Sequence, residues 1–531
     1  MGFWVGNTPK YLFLYEMHGD EIILPYGTLK QITPLIKDTI VKSEFKPYMS
    51  INYGTPIPLY PYQEKAVREV KNGYYGILQS KAGSGKTQMG IALIQEYGRR
   101  ALWLCHTLDL VNQSKERAER YMAIGFWNYP NVETTPVSDV ARWDNCGITC
   151  NQTPTFSYRH HDPALVTAFL DEMHKHGMKA FVVVNDLQFR CFTEDPEAFR
   201  EVYERAYADF GHHPATLGFF IGDEPLHPAE FKACVRAYQI MREVSPELTP
   251  LLNFNPYWLG IETDFLGGQK FEDWLDNFID ASGCPLICYD CYWQMNPEEE
   301  GTNMYFLNLN KYTSAGKRKG VKVWNTLLSV GHFRYRVPTE DDLRWQLSTT
   351  VASGCDGILW FYYYGQNNGN NYRGAPIDEL GEESETYTRM RRVQKIFHRR
   401  YGEMVTRLNH GQTWHFQKAY GDYPLYMSYD IPHLRKMESA HGIPGIISTF
   451  YDESGEQYLC LCNNSPFESG LFSFIFDPGV TTCTRYWDNG REIDFKVSHH
   501  DAVYQEHSSF TKIGVYLAPG QMEIFKVGYE A

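Results

Sequence analysis

The chain has 531 residues, of which 43% are hydrophobic and 15% aromatic, and a formal net charge of -14 at neutral pH. That length accommodates two to four domains with cores of their own, and that apolar content excludes a disordered chain. The acidic balance speaks against a general nucleic-acid binder, whose footprint is basic.

The 38 Tyr, 31 Phe and 12 Trp suit either a Tyr-rich core or a surface that stacks on sugar rings. Twelve cysteines form no CxxC…CxxC framework. Cys288 and Cys291 have a zinc-like gap, but in a strand residues three apart face opposite sides, so no metal is expected there. The start, "MGFWVGNTPKYLFLYE", lacks a basic region followed by an apolar one. With no apolar run of about twenty residues either, a cytoplasmic protein without a membrane partner is expected.

In chain order, "YGILQSKAGSGKTQMGIALIQEYG" reads as strand, glycine-rich loop and helix. Gly83, Ser84 and Gly85 let backbone N–H groups turn toward phosphate oxygens, Lys86 supplies a cation, and Thr87 can hold magnesium. "RRALWLCHTLDLVNQSKERAERYM" adds a buried strand and an amphipathic helix. Tyr62-Gln63, "SKAGSGKT" and "HTLDLVNQ" in this order resemble the start of a phage-type superfamily 2 (DEAD/DEAH) helicase. The resemblance implies a partial RecA-like segment over residues 1–122, with Gln63 sensing adenine and ATP with magnesium as its cofactors. Ser80 departs from the family's Ala or Gly. The acidic box, the Ser/Thr-Ala-Thr segment and the arginine-bearing second lobe do not follow. Without the carboxylate and the arginine, phosphoryl transfer has little to work with.

From Ala123 strands and helices alternate eight times. The strands are "AIGFWNYP", "ITCNQT", "KAFVVVND", "TLGFFIGDEP", "TPLLNFNP", "PLICYDCYW", "VKVWNTLLSV" and "DGILWFYYYG". Eight βα units with short loops predict a (β/α)8 TIM barrel over residues 123–410, with a doubly wound open sheet as the alternative. The join at "AERYMAIGFWNYP" has no linker and marks a gene fusion or a chimera.

The carboxyl ends of barrel strands form the active-site face. They collect Asn128, Asn151, Gln152, Asn185, Asp186, Asp223, Glu224, Asn253, Asn255, Tyr289, Asp290, Trp293, Trp324, Asn325 and Trp360 with Tyr362 to Tyr364. Carboxylates, amides and aromatics at one mouth suit a carbohydrate substrate. Glycoside cleavage needs a protonated carboxyl beside the leaving oxygen and a second group at the oxocarbenium-like centre. Glu224, reached through the apolar "GFFIG", sits where burial would keep it an acid. Two bland readings compete: Asp223 as a helix cap before Pro225, and Asp290 as a loop tie. His332 and Arg159 to His161 read as loop residues.

Glu-Pro at the end of strand four resembles the barrel glycoside hydrolases. Two departures stand out: Asp223 replaces the usual Asn, and strand seven carries no Glu. The adjacent Asp-Glu pair is similar to hexosaminidase-type families, and Tyr289-Asp290 to chitinase-like barrels. That likeness implies Glu224 as acid/base, Asp223 orienting a 2-acetamido group, and Tyr289 and Asp290 assisting. Alternatively Asp290 acts as base or nucleophile. Asn128, Asn185, Asp186, Asn255, Trp293, Trp324, Asn325 and Trp360 would bind substrate, and no cofactor is required for this chemistry.

From Gly411 to the end, short alternating runs ("GIISTFYD", "YLCLCNN", "LFSFIFD", "TRYWDN", "KIGVYLAPGQMEIFKV") predict an antiparallel β-sandwich that buttresses the barrel. Three functions remain open at this point: a glycosidase, an incomplete ATP-binding helicase-like protein, and a non-catalytic carbohydrate-binding barrel.

Overall fold

The computed structural model describes residues 16–18, 21–23, 64–68, 86–97, 121–366, 371–477, 480–487, 491–495 and 511–529. They fall into two compact units, divided between Leu104 and Cys105. The first unit contains an antiparallel pair, Glu16–His18 with Glu21–Ile23. It also has a helical turn over 64–68 and the helix Lys86–Tyr97. Val67, Met89 and Ala92 form a small cluster there. The strand and glycine-rich loop expected before Lys86, and the strand and helix expected over 101–120, lie outside the described residues.

The second unit opens with an eight-stranded parallel barrel. Its strands are β1 (Ala123–Phe126), β2 (Cys150–Gln152), β3 (Lys179–Val183), β4 (Thr216–Asp223), β5 (Thr249–Phe254), β6 (Leu286–Asp290), β7 (Lys322–Leu328) and β8 (Gly357–Phe361). The hydrogen-bonded order is β1-β8-β7-β6-β5-β4-β3-β2. Helices follow in turn: α1 (Val140–Cys146), α2 (Pro163–Lys175), α3 (Phe199–Ala206), α4 (Pro228–Val244), α5 (Phe271–Ser282), α6 (Thr302–Lys319), α7 (Glu340–Ala352) and α8 (Glu385–Phe397). Local chemistry sets their starts. Asp162 accepts from Ala164 N–H at 2.9 Å ahead of Pro163 on α2, and Thr339 with Asp342 makes a capping box on α7.

Side chains close the β1–β2 seam. Asn151 Oδ1 accepts from the Phe126 N–H at 2.8 Å, and Gln152 Oε1 from the Asn128 N–H at 3.2 Å. Gly125 is required here, because an added Cβ would lie 2.0 Å from the Cys150 carbonyl oxygen.

Strand alternation divides the residues between two apolar layers. Phe181, Val183, Phe220, Leu251, Cys288, Trp324, Leu328 and Leu359 fill the barrel interior. Val182, Phe219, Ile221, Leu252, Phe254, Ile287, Tyr289, Leu327 and Trp360 face the helices.

The chain then forms a β-sandwich. One sheet has the order β9-β11-β12-β17-β14-β15, from Asn409–Phe416, Gly445–Tyr451, Gln457–Asn463, Met522–Tyr529, Val480–Tyr486 and Glu492–Phe495. The other has the order β10-β13-β16, from Leu434–Ser439, Gly470–Phe476 and Thr511–Leu517. The run "KIGVYLAPGQMEIFKV" is two strands rather than one. Pro519 and Gly520 (φ 65°) break it, and its halves pair in different sheets.

Candidate active site

The fourth strand brings two carboxyls to the rim by an irregularity in its pairing. Phe220 pairs with Leu251, but Gly222 pairs with Leu252 and Asp223 with Asn253, so one extra residue is accommodated at Ile221. Phe219 and Ile221 face the helices; without that bulge Asp223 would follow them outward. The bulge re-phases the strand and turns Asp223 into the mouth. Gly222 takes φ 148°, and a Cβ there would lie 2.1 Å from Phe189 Cδ1. Glu224 follows at φ 46°, its N–H donating to the Asn253 carbonyl at 2.8 Å.

One amide joins the carboxyls of neighbouring strands. Asn253 Nδ2 donates to Asp223 Oδ1 and to Asp290 Oδ1, each at 3.0 Å, so these two oxygens lie within 6.0 Å of one another. Asn253 Oδ1 in turn accepts from the Thr326 hydroxyl at 3.2 Å and from Cys288 Sγ at 3.6 Å. Arg190 reaches in from the loop after β3. Its Nη2 donates to the Glu224 carbonyl at 3.0 Å, and its Nε to Glu230 at 3.1 Å.

Burial acts on all three acids, and repulsion by neighbouring carboxylates adds to it at Asp223 and Asp290. Asp223 is pushed up to about 7, by burial first and then by Glu224, with Asn253 and Arg190 opposing. Burial raises Glu224, against Arg190. Asp290, only 8% exposed, is held well above the carboxylate range by burial, Glu224 and Asp223, against Asn253 and Tyr292. A centre of this kind keeps at least one proton near neutral pH, as acid catalysis of acetal cleavage demands.

Aromatic rings wall the mouth. Tyr129 is 39% exposed, stacks on Trp127 with centroids 6.0 Å apart, and meets Phe361 and Tyr362 edge-on. Burial and the charges of Asp223, Tyr372, Asp290 and Glu224 raise its phenol, so it lies near enough to the three acids to feel them. Tyr292 stacks on Phe361, and Tyr372 meets Tyr362 edge-on. His332 stands among Tyr292, Tyr335 and Phe361, its imidazole lowered to about 4 by burial and by Arg373.

The remaining expected site residues are placed elsewhere. Tyr289 faces the helices, stacked on Tyr312 of α6 at 3.9 Å. Trp360 faces them too, bonded to Gln394 at 3.2 Å, and Asn325 bonds Thr350 of α7 at 3.2 Å. Trp324 fills the barrel interior beneath Gly357, three residues into β7 rather than at its end. Asn128 secures the β1–β2 seam through the Gln152 carbonyl. Asp186 accepts from the Tyr158 N–H at 2.9 Å, and Asn185 is exposed beside it. Asn255 donates to the Pro225 carbonyl at 3.0 Å and so fastens the loop after Glu224. Trp293 starts a short turn after β6 and packs toward the helix layer. His161 accepts from the Ser157 N–H at 3.0 Å, and Arg159 ion-pairs with Asp186.

Tyr129, Tyr292 and Arg190 were not expected in the mouth from sequence. Asp290 and Tyr292 are two apart, as are Trp127 and Tyr129, so counting by twos from an inward residue finds both tyrosines. Arg190 lies in a loop and leaves no such periodic trace.

Of the nucleotide-binding candidates, Gln63, Gly83, Ser84 and Gly85 lie outside the described residues. Lys86 and Thr87 open the helix Lys86–Tyr97, and their side chains lie outside the described part as well. Among the described residues no group of three His, Cys, Asp or Glu side chains is arranged to hold a metal ion, and no helix is long and apolar enough to cross a membrane.

A family model described as the type III restriction enzyme, res subunit, matches residues 56–137. No curated protein sequence matches the chain. Among solved structures, a family 39 glycoside hydrolase from Bacteroides cellulosilyticus WH2 is similar at 11% identity, with 77% of this chain and 81% of that one covered and a TM-score of 0.46. A protein titled glycoside hydrolase is similar at 10% identity, with 77% and 95% covered and a TM-score of 0.47. A β-galactosidase from the psychrophilic Marinomonas ef1 is similar at 11% identity over 52% of this chain, with a TM-score of 0.41. This chain spans 59% of that β-galactosidase, less than two thirds of its length. At such identities and scores, what the mouth does is read from its own residues.

Proposed function

We propose that the barrel is a glycoside hydrolase acting on a carbohydrate held over Asp223, Glu224 and Asp290. The observation that carries this reading is the meeting of three carboxyls at the barrel mouth, two of them on one amide, with Tyr129 close enough to feel their charge. Acetal cleavage requires one protonated and one ionised group on either side of the anomeric carbon, and an apolar surface for the sugar face.

Glu224 is the proton donor to the leaving oxygen. Asp290 faces the developing positive charge and, once it has given up the proton that burial and its acidic neighbours favour, acts either as nucleophile or as base for water. Asp223 supports Asp290 through Asn253, or takes the amide of a 2-acetamido sugar whose own carbonyl attacks. The seventh strand offers Thr326 and Leu328 to the interior and no carboxylate, so the second acid comes from β6.

Purified full-length protein assayed against aryl glycosides, with and without a 2-acetamido group, tests this. Turnover that falls by about a thousand-fold or more in Glu224→Gln supports it. Restriction to acetamido sugars assigns Asp223 as orienter, whereas turnover of plain hexosides assigns the second role to Asp290. Sugar binding without turnover on any substrate replaces the reading with a carbohydrate-binding barrel, and ATP hydrolysis alone moves the activity to the N-terminal segment.

A further inference from the structure

Two carboxyls and a sugar platform do not explain the buried amide between Asp223 and Asp290. We infer that Asn253 is a positioning residue: its single NH2 group holds Asp223 and Asp290 as hydrogen-bond acceptors, a donation that Glu224 does not receive. This rests on the glycosidase reading and adds to it the rule by which three similar acids take different roles.

An amide NH2 has two hydrogens, and at 3.0 Å each is committed to one aspartate oxygen. A donor favours the ionised form of the carboxyl it reaches. Asn253 gives no such bond to Glu224, which touches the same residue only through its backbone N–H. The amide orientation is set from behind. The Thr326 hydroxyl and Cys288 Sγ occupy Oδ1, and rotating the amide by half a turn would aim that oxygen at two carboxylates. Asn253 is 2% exposed, so water cannot substitute for the lost partners.

Other charged or titratable groups face this pair from the surrounding elements: Glu224 on the rim, Arg190 from the loop after β3, and Tyr129 after β1. Cys288 contributes from β6, Cys291 and Tyr292 from the residues just after it, Tyr312 from α6, and Tyr335 from the loop after β7. Apart from Arg190, none of them supplies positive charge; Tyr292 adds a hydrogen bond to Asp290, and the Asn253 amide is the donor that both aspartates share.

The test compares wild type, Asn253→Ala, Thr326→Val and Thr326→Ser as full-length chains on the aryl glycoside that wild type cleaves. Loss of the donor leaves Asp223 and Asp290 protonated to higher pH, so the acid limb of the kcat/KM profile moves upward. Asn253→Ala is expected to lower kcat about 100-fold or more with little change in KM. Its acid limb should move up by roughly one pH unit, the size of one lost charge-assisted hydrogen bond. Thr326→Val should move the limb the same way by less, and Thr326→Ser should restore it. A fall in kcat with an unmoved limb in both Asn253→Ala and Thr326→Val would overturn the assignment.

If Asn253→Ala fails to fold, Thr326→Val and Thr326→Ser still decide. If wild type cleaves nothing, the glycosidase reading fails by itself. Infrared titration of carboxyl bands in wild type and Thr326→Val then tests the hydrogen-bond rule without turnover. A carboxyl protonated to higher pH in the variant sustains it, and identical titrations overturn it.

Discussion

Asp223 shows what the site costs at the level of one residue. In the unfolded chain its carboxyl ionises near 3.8, and in the folded protein only near 7. Below both values the group is neutral in either state and imposes no penalty. Between them the folded state holds a proton that the unfolded chain has released, so stability falls as pH rises from about 4 to about 7 and is level above that. The difference sets an upper bound of about 4 kcal/mol on the penalty at pH 8. Asp223→Asn should therefore raise Tm relative to wild type at pH 8 by up to a few degrees and barely at all at pH 4, while lowering turnover. Thermal unfolding of both proteins across that range checks this, and an equal Tm difference at both ends would contradict it.

Elements determine which residues reach the mouth, and here the sequence was informative in one respect and silent in another. Eight apolar runs separated by helical ones made the barrel legible, because each run follows the strand period and each interval the helical one. Asp223, Glu224 and Asp290 were legible as acids at strand ends. Facing was harder. Tyr289 and Asp290 are neighbours in a strand and so point to opposite layers, which removes Tyr289 from the site by alternation alone. Trp324 and Asn325 were misplaced because β7 runs on past them to Leu328, and Trp360 because it faces the helix layer. The bulge in β4 could not be read from alternation, since it is a departure from it; its trace is Gly222, the second of the strand's two glycines. Gly222→Ala tests that element. Its Cβ would collide with the Phe189 ring and adopt an unfavourable φ, at a cost of about 1–3 kcal/mol or more. Denaturant unfolding should show that loss, and activity should fall further than stability because the strand can relax only by turning Asp223 away. An active Gly222→Ala protein of wild-type stability would refute the role given to the bulge.

At the scale of the whole second unit, barrel and sandwich share one apolar core rather than a wetted interface. Tyr305 and Trp345 of the barrel belong to the same buried cluster as Ile446, Phe450, Cys460, Met522 and Ile524 of the sandwich. Trp345 Nε1 also donates to Asn464 at 3.0 Å. A fully buried acid, Glu523 on β17, ties the two parts electrostatically. It accepts from Arg400, just beyond α8, at 2.9 and 2.5 Å, from Arg485 on β14 at 2.8 and 3.0 Å, and from Tyr401 at 3.1 Å. Burial alone would raise its carboxyl, yet the hydrogen bonds from Arg485 and Arg400 hold it below the ordinary glutamate range. Removing the acid leaves two guanidinium groups, 10% and 17% exposed, without the anion between them. Breaking a buried pair in this way costs about 3–5 kcal/mol, more than the net value of the pair itself. Glu523→Gln should lower the stability of barrel and sandwich together, as one calorimetric transition displaced to lower temperature. Because that transition includes the β-strands that carry Asp223, Asn253 and Asp290, activity should be lost at the same temperature as the sandwich melts. Two separate transitions in the variant, with glycosidase activity surviving the first, would mean that the sandwich is an attachment and that the mouth stands on the barrel alone.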